Sequence, residues 1–330
     1  MFVPITFPSA MYFWLNGTNR NYIDKYTLEK RKLADLPAGF DCRIQVATGS
    51  EIASEYSLGL PLHIMVPDER HKYNTENTVC HVRPAFLPSG SFVILDKLTV
   101  VASPELCFVL AARSFSIPML VKLGHNLCSR YVLDTNKPTN QRFREPICNV
   151  KTLNEYVERC GNIEGVKKAR IALRYVMDNS NSPMESNLSS IIGLKKGYGG
   201  YGITGYALNS QITLPESARK ILGLDKVSSD IVWSSRRVVI EYDSNLTHLE
   251  REQHAYDKGK LNALKLAGFD VMSLTSDNVR SLDTLDVAMD ILRAKLGLRS
   301  EAEAMKKYHE KRKKTFFEIF RTDSFGMYYM

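Results

Sequence analysis

Residues Ser228 to Ser244 read SSDIVWSSRRVVIEYDS, and this stretch decides the fold. Its β-branched and aromatic residues, bounded by serines, predict two short strands, one from Asp230 to Trp233 and one from Arg237 to Asp243. A tight two-residue turn at Ser235-Arg236 would join them. The sequence therefore predicts a β-hairpin at this point of the chain.

The predicted hairpin places two acids against each other. With the two-residue turn, Asp230 lies opposite Glu241, and opposed side chains in an antiparallel pair have Cβ atoms roughly 5 Å apart on one face. Two carboxylates so placed repel each other, so a stable fold needs a cation between them. A hard divalent cation, which prefers oxygen ligands, meets that need. A register shifted by one residue would put the two acids on opposite faces.

Composition and charge narrow the classes of protein. The 330 residues allow two domains, and 44% hydrophobic with 24% charged residues is typical of a globular chain. A net charge of +8 favours a polyanionic partner, nucleic acid before an anionic membrane surface. The six cysteines form no CxxC pair, which indicates reduced structural thiols. Without a long apolar run or a signal peptide, we expect a cytoplasmic protein that does not act at a membrane.

The order of the predicted elements divides the chain into four parts. Residues 1–135 mix short strands and helices, which predicts an α+β domain for recognition or partner binding. Residues 136–180 contain a polar linker and a helix from Leu153 to Met177. Residues 181–298 form the domain around the hairpin. Residues 299–330 form a basic tail, which is typical of a solvated helix face or, alternatively, of a nucleic-acid contact.

Several elements of residues 1–135 have clear sequence signals. Apolar and β-branched runs predict strands from Asp41 to Ala47, from Leu62 to Val66 and from Ser91 to Leu95. Ser103 followed by Pro104 is typical of a helix start. The histidines of this part are scattered along the sequence and we assign them to no site: His63, His71, His81 and His125.

From Ser182 onward the predicted order is helix, strand, hairpin, helix, strand, helix. Ser182, Pro183 and Glu185 form the start signal of the first helix, with Glu185 in the position of a capping-box acid. The glycines and tyrosines of residues 197–206, GYGGYGITGY, predict a flexible loop. Alternatively, these tyrosines stack on the bases of a nucleic acid.

This ordered set resembles the PD-(D/E)XK nuclease superfamily and, within it, the very-short-patch-repair endonucleases. The resemblance covers residues 181–296 and implies an α/β restriction-endonuclease-like domain, with a central mixed sheet flanked by helices. The residues that carry it are Glu185 in SPMES, Asp230 in SSDIVW, Glu241 and Asp243 in VVIEYDS, His248, and Lys258 and Lys260 in the DKGK patch.

The resemblance implies metal-dependent hydrolysis of phosphodiester bonds, in DNA rather than RNA. Asp230 and Glu241 would bind Mg²⁺ or Mn²⁺, with Glu185 as a third ligand that acts through water. The ion would activate a water molecule and stabilise the charge of the transition state. His248 would carry a proton, since its ordinary pKa lies near neutrality.

The position two residues after the second acid is the one departure from the superfamily pattern. A lysine commonly stands there, and this chain has Asp243, a further member of the implied site. Lys258 or Lys260 on the following helix would then supply the cation. Structural interpretations stay open beside these roles: Glu185 closes a capping box, Asp243 ends a strand, and the lysines lie on a helix surface.

Residues 1–135 are more distantly similar to AbiEi-type proteins of type IV toxin–antitoxin systems. The similarity is carried by Ser9-Ala10, by TVVASPELCFVLAARS at residues 99–114, and by Leu123-Gly124-His125. It implies a bacterial defence or toxin–antitoxin context, with a protein partner for this domain. The alternative function is a catalytically inactive nucleic-acid-binding or antitoxin-like regulator that keeps the nuclease fold. A third is a protein-interaction module in a larger complex.

Overall fold

The computed structural model describes residues 3–16, 24–37, 40, 49–132, 142–243 and 251–322, without the side chains of residues 142 and 251–255. The chain divides into two compact units. Unit 1 comprises Met1–Asp178 with Arg321–Met330, and unit 2 comprises Asn179–Phe320. No helix in the described part of the chain is long and apolar enough to span a membrane.

Unit 1 is built on a six-stranded mixed sheet. Its strands within the described residues are β1 (Val3–Ile5), β2 (Leu33–Ala34), β3 (Leu62–Val66), β4 (Thr78–Val82), β5 (Phe92–Ile94), β6 (Thr99–Ala102), β7 (Tyr131–Val132) and β8 (Arg142–Phe143). The sheet has the order β2-β5-β6-β1-β3-β4, while β7 and β8 pair separately. Because β1 runs parallel to β6 and antiparallel to β3, the sheet is mixed.

Helices enclose the core of unit 1. They are α1 (Ser9–Leu15), α2 (Gly49–Glu55), α3 (Pro104–Ala111), α4 (Ile117–Leu127), α5 (Val150–Arg159) and α6 (Val166–Leu173). Helix α3 begins as predicted, because Ser103 Oγ accepts a hydrogen bond from Leu106 N at 3.2 Å. Every residue of α3 is buried, so this helix lies at the centre of the unit.

The predicted elements of unit 1 have different outcomes. The strand from Leu62 to Val66 is confirmed with the same bounds. The single helix from Leu153 to Met177 is wrong. The chain leaves α5 and enters α6 through Gly161 and Gly165, whose φ angles of +58° and +93° favour glycine. The strand predicted from Asp41 to Ala47 lies outside the described residues.

Unit 2 has a four-stranded mixed sheet with helices around it. Its elements are α7 (Pro183–Gly193), β9 (Ala207–Thr213), α8 (Glu216–Leu222), β10 (Lys226–Trp233), β11 (Val238–Asp243), α9 (Arg251–Leu266), β12 (Asp270–Thr275), α10 (Leu282–Lys295), α11 (Ala302–Lys307) and α12 (His309–Phe320). The order is β12-β11-β10-β9, with β11 and β12 parallel and the other pairs antiparallel. The predicted order of elements is observed, with α8 as an additional helix.

The hairpin has the predicted register but a longer connection. Ile231 lies opposite Ile240 and Trp233 opposite Val238, so the next pair outward is Asp230 and Glu241. The predicted two-residue turn is wrong, because a 3₁₀ turn over Ser234–Arg236 and a left-handed Arg237, with φ of +52°, join the strands. Both connections are centred on the same residues, and the register is therefore unchanged.

The glycine- and tyrosine-rich stretch at residues 197–206 is packed within unit 2. Tyr201 and Tyr206 are 1% and 8% exposed, and the Tyr201 hydroxyl donates a hydrogen bond to Asp286 at 2.6 Å. At Gly200 a Cβ would lie 2.1 Å from the carbonyl oxygen of Leu194. The alternative that these tyrosines stack on bases is wrong for Tyr201 and Tyr206, because both rings are buried.

The basic segment near the end of the chain is largely part of unit 2. Helix α12 contacts α7 and α10. Arg312 on α12 is 3% exposed and donates to the two carboxylate oxygens of Asp286 at 2.8 and 2.9 Å. Lys313 and Lys314 remain exposed. The segment thus combines a buried arginine that holds the helix in place with a solvated lysine face.

Candidate functional site

Two strands and one helix of unit 2 bring three largely buried acids together. Asp230 lies on β10, Glu241 on β11, and Glu185 in the first turn of α7. Burial and then the charge of Asp230 raise the pKa of both glutamates, so Asp230 lies within electrostatic reach of each of them. We call Glu185, Asp230 and Glu241 the acidic cluster.

Glu185 is fixed by the start of helix α7. Its backbone N–H donates to Ser182 Oγ at 3.1 Å, which is the first half of the predicted capping box. The second half of the box, a hydrogen bond from the Ser182 backbone N–H to the Glu185 carboxylate, is not among the hydrogen bonds of the described residues. Glu185 Oε2 accepts instead from Asn181 N at 2.8 Å and from Asn209 Nδ2 at 2.5 Å. The carboxylate is thereby held by a backbone donor before α7 and by a side chain of β9, and Glu185 is 6% exposed.

Asp230 is anchored across the hairpin. Its Oδ2 accepts a hydrogen bond from the backbone N–H of Tyr242 at 2.8 Å. This bond uses one carboxylate oxygen to satisfy a backbone donor of the neighbouring strand. The side chain of Asp230 is therefore fixed on the sheet beside Glu241.

Glu241 forms an ion pair with a lysine from helix α9. Lys260 Nζ lies 2.5 Å from Glu241 Oε2, and the two side chains are only 17% and 14% exposed. The other oxygen, Oε1, is buried and has no hydrogen-bond partner among the described residues. The Ser229 hydroxyl, also buried without a hydrogen bond of normal geometry, lies close enough to lower the pKa of this carboxyl by a lesser amount.

The electrostatics of the acidic cluster favour protonated carboxyls. Burial, followed by the charge of Asp230, raises the pKa of Glu185 to about 7. The same two causes raise the pKa of Glu241 to about 7, against the opposing effect of Lys260. Burial also raises the pKa of Asp230. Near neutral pH the cluster therefore exchanges protons readily, and a divalent cation would compete with those protons.

The other predicted site residues differ in exposure and in their contacts with the acids. Asp243, at the end of β11, is exposed and lies opposite Thr275 of β12. Lys258 is exposed on α9, so Lys260 is the one of the two candidate lysines that reaches the acids. His248 lies outside the described residues.

Asn209 is the site residue that the sequence analysis missed. On β9, Ser210 pairs with Ser229 and Leu208 pairs with Ile231 of β10. Asn209, which lies between them, is therefore beside Asp230. Gln211, two residues further along β9, is exposed. The available signal was an asparagine within a strand, since asparagine adopts the left-handed conformation more readily than most residues and Asn209 has φ of +47°.

The structure also brings together two of the scattered histidines of unit 1. His63 Nδ1 and His81 Nε2 lie 2.7 Å apart, because β3 and β4 are adjacent parallel strands. Burial lowers the pKa of His63 to about 4 and also lowers the pKa of His81. The two imidazoles form a neutral hydrogen-bonded pair, and we assign it no function.

The acidic cluster offers carboxylate oxygens, the type of ligand that a hard divalent cation prefers. Within the described residues, no group of three or more His, Cys, Asp or Glu side chains is arranged to hold a metal ion. Mg²⁺ needs only one or two carboxylates beside its waters, and Asp230 and Glu241 can supply them. Glu241 Oε1, which is buried and has no hydrogen-bond partner among the described residues, is an oxygen ligand of the required kind. Glu185 would then act through water.

Comparisons of the chain with protein-family models, with curated proteins and with solved structures found no match. The proposals that follow rest on the contacts of the described residues and on the resemblance of residues 181–296.

Proposed function

We propose that unit 2 is a metal-dependent endonuclease domain that hydrolyses phosphodiester bonds, with DNA as the substrate. The observation that carries the proposal is the contact of Lys260 Nζ with Glu241, next to Asp230 on the opposite strand. Two acids and a lysine in one site provide the ligands for a cation and a positive charge for a phosphate. The lysine comes from helix α9 and not from the strand position that Asp243 occupies.

Each residue of the site has a role in such a reaction. Asp230 and Glu241 would hold Mg²⁺ or Mn²⁺. When bound, the ion would lower the pKa of a water molecule and withdraw charge from the phosphate. Lys260 would contact a phosphate oxygen and stabilise the negative charge that develops there. Glu185, with its pKa near 7, would orient a water molecule and accept a proton at neutral pH.

Charge supports a polyanionic substrate. The chain has a net charge of +8, and Lys258 lies exposed on the same helix as Lys260. Lysines on a surface neutralise phosphates and give salt-dependent binding. The choice of DNA over RNA rests on the resemblance to very-short-patch-repair endonucleases. A defence-related context and a protein partner for unit 1 rest on the more distant similarity to AbiEi-type proteins.

Cleavage of nucleic acid tests the proposal. Supercoiled plasmid and single-stranded DNA are incubated with the protein and Mg²⁺ or Mn²⁺, and nicked or shortened products are expected. Asp230→Asn with Glu241→Gln should abolish cleavage. Asp277→Asn, which changes an exposed acid of the same unit, should not. Cleavage that persists in the double variant would exclude this site.

The same assay separates the alternative function. Salt-sensitive DNA binding without cleavage under any divalent ion would indicate a non-catalytic regulator with a nuclease-like fold. In that case binding should be equal with and without metal, because the acidic cluster would have only a structural role.

A further inference from the structure

Asn209 has an unusual backbone conformation for a residue within a strand. Its φ of +47° lies in the left-handed region, whereas its neighbours on β9 continue the regular pairing with β10 on both sides. A non-glycine residue in this region is strained, and asparagine is among the residues that tolerate it best. An interaction of Asn209 must therefore compensate for the left-handed conformation in the middle of the strand.

The hydrogen bonds of the side chain supply a reason. Asn209 Nδ2 donates to the backbone oxygen of Asn179 at 2.8 Å and to Glu185 Oε2 at 2.5 Å. The amide group has two N–H donors, and the two bonds use both of them. The first bond fixes the amide against the segment before α7, and the second fixes the carboxylate of Glu185.

The register of β9 and β10 places the hydrogen bond between Asn209 and Glu185 next to Asp230. Asn209 stands beside Asp230, the strand residue whose charge acts on Glu185. Asn181 N and Asn209 Nδ2 both donate to Oε2, so two donors from different segments fix one oxygen of the Glu185 carboxylate and with it the orientation of the side chain. A left-handed backbone at position 209 is thus coupled to the orientation of a carboxylate on another element.

We propose that Asn209 is a positioning residue that holds Glu185 in the orientation needed to take part in binding a divalent cation. This inference rests on the proposed function of unit 2. The neutral amide suits the role, because it donates to a carboxylate without adding a charge. An aspartate of the same shape would add a fourth acid and remove the donor.

The affinity for Mn²⁺ tests this role directly. Asn209→Gly keeps the left-handed conformation accessible and removes only the amide. We expect it to weaken Mn²⁺ binding by about tenfold, the usual range for the loss of a residue that orients a ligand. The matched control is Ser57→Gly. Ser57 is also left-handed, with φ of +50°, and belongs to unit 1 rather than to the acidic cluster, so this variant should bind Mn²⁺ as the wild type does.

A double-mutant cycle shows whether Asn209 acts through Glu185. In the Glu185→Gln background there is no carboxylate to orient, so Asn209→Gly should cause no further loss of Mn²⁺ affinity. A purely structural role would instead give the same loss in both backgrounds. Thermal unfolding of each variant confirms that the protein is folded under the binding conditions.

The outcomes separate this inference from the proposed function. If the wild-type protein binds no Mn²⁺, the proposed function is overturned and the role of Asn209 with it. If the wild type binds Mn²⁺ and Asn209→Gly binds it equally well, only the role of Asn209 is overturned. Additive losses in the cycle would also overturn it.

Discussion

At the scale of single residues, the ion pair between Lys260 and Glu241 reduces the repulsion among three acids. Its two side chains are largely buried, so water screens the pair less than it would a surface pair. Removal of one partner of such a pair leaves an uncompensated buried charge. The same lysine is therefore important for the stability of the cluster and for the charge of a bound phosphate.

Replacement of Lys260 should be far more damaging than replacement of Lys258. We expect Lys260→Met to reduce the rate of DNA cleavage by roughly 100-fold or more at saturating metal, because it removes a donor to the transition-state charge. Lys258→Met, which changes an exposed side chain two residues earlier, should stay within about twofold. Equal effects of the two variants on the measured rate would contradict the assignment of Lys260.

The raised pKa values of the acidic cluster predict a pH-dependent stability. Glu185 and Glu241 each have a pKa of about 7 in the folded protein, above the ordinary glutamate value of 4.5. A pKa raised by folding stabilises the protein below the unfolded value, and this stabilisation is lost as pH rises through the folded value. As pH rises from about 4.5 to about 7, these two groups should therefore lower the free energy of unfolding by several kcal/mol, at most roughly 7 kcal/mol.

Comparison with a variant isolates this effect. The pKa values of His63 and His125 are lowered to about 4, so these residues add stability as pH rises and oppose the trend. Chemical denaturation of the wild type and of Glu185→Gln with Glu241→Gln across this pH range gives the difference. A difference that does not change with pH would show that the glutamates titrate normally.

At the scale of elements, the packing of residues 197–206 predicts that an added side-chain atom there can destabilise the protein, which it would not do in a flexible loop. Gly200→Ala should lower the free energy of unfolding by about 3 kcal/mol, because its Cβ would collide with the backbone of Leu194. Gly197→Ala is the matched control, since a Cβ there meets nothing within 4 Å, and should change stability by less than about 0.5 kcal/mol. Similar unfolding midpoints for the two variants would contradict this packing.

The hairpin shows what a sequence can predict about an element. The register of Asp230 and Glu241 was predicted from a two-residue turn at Ser235-Arg236, and the observed connection of residues 234–237 keeps this register because it is centred on the same residues. The turn itself did not follow, because nothing in Ser234–Arg236 requires a 3₁₀ conformation. Helix α8 was also missed, since Glu216–Leu222 is too short to show a convincing helical period.

At the scale of the whole molecule, Arg312 determines whether the basic segment is a tail or part of unit 2. Its guanidinium is buried and bonded to Asp286, and it lies over the ring of Tyr201. We expect Arg312→Ala to lower the free energy of unfolding by about 3 kcal/mol or more, measured by chemical denaturation. Lys313→Ala, at the exposed neighbour, should change it by less than about 0.5 kcal/mol. Equal effects would support an independent tail.

The candidate site was predictable where it depends on local patterns. The pairing of Asp230 with Glu241 came from the hairpin predicted around Ser235-Arg236, and Glu185 from a helix start signal. The choice of Lys260 over Lys258 depends on the rotation of α9 above the sheet, which a helical pattern alone does not fix. Asn209 depends on the pairing of β9 with β10 and on one left-handed residue. Both are long-range features that only the folded chain reveals.

Direct binding of Mn²⁺ tests the central claim, that Asp230 and Glu241 hold a divalent cation. Electron paramagnetic resonance titration is done above the raised pKa of about 7, where protons compete least. The account predicts one Mn²⁺ per chain, weakened by about tenfold or more in Asp230→Asn and in Glu241→Gln and unchanged in Asp277→Asn. No bound Mn²⁺, or binding that both site variants leave unchanged, would contradict it.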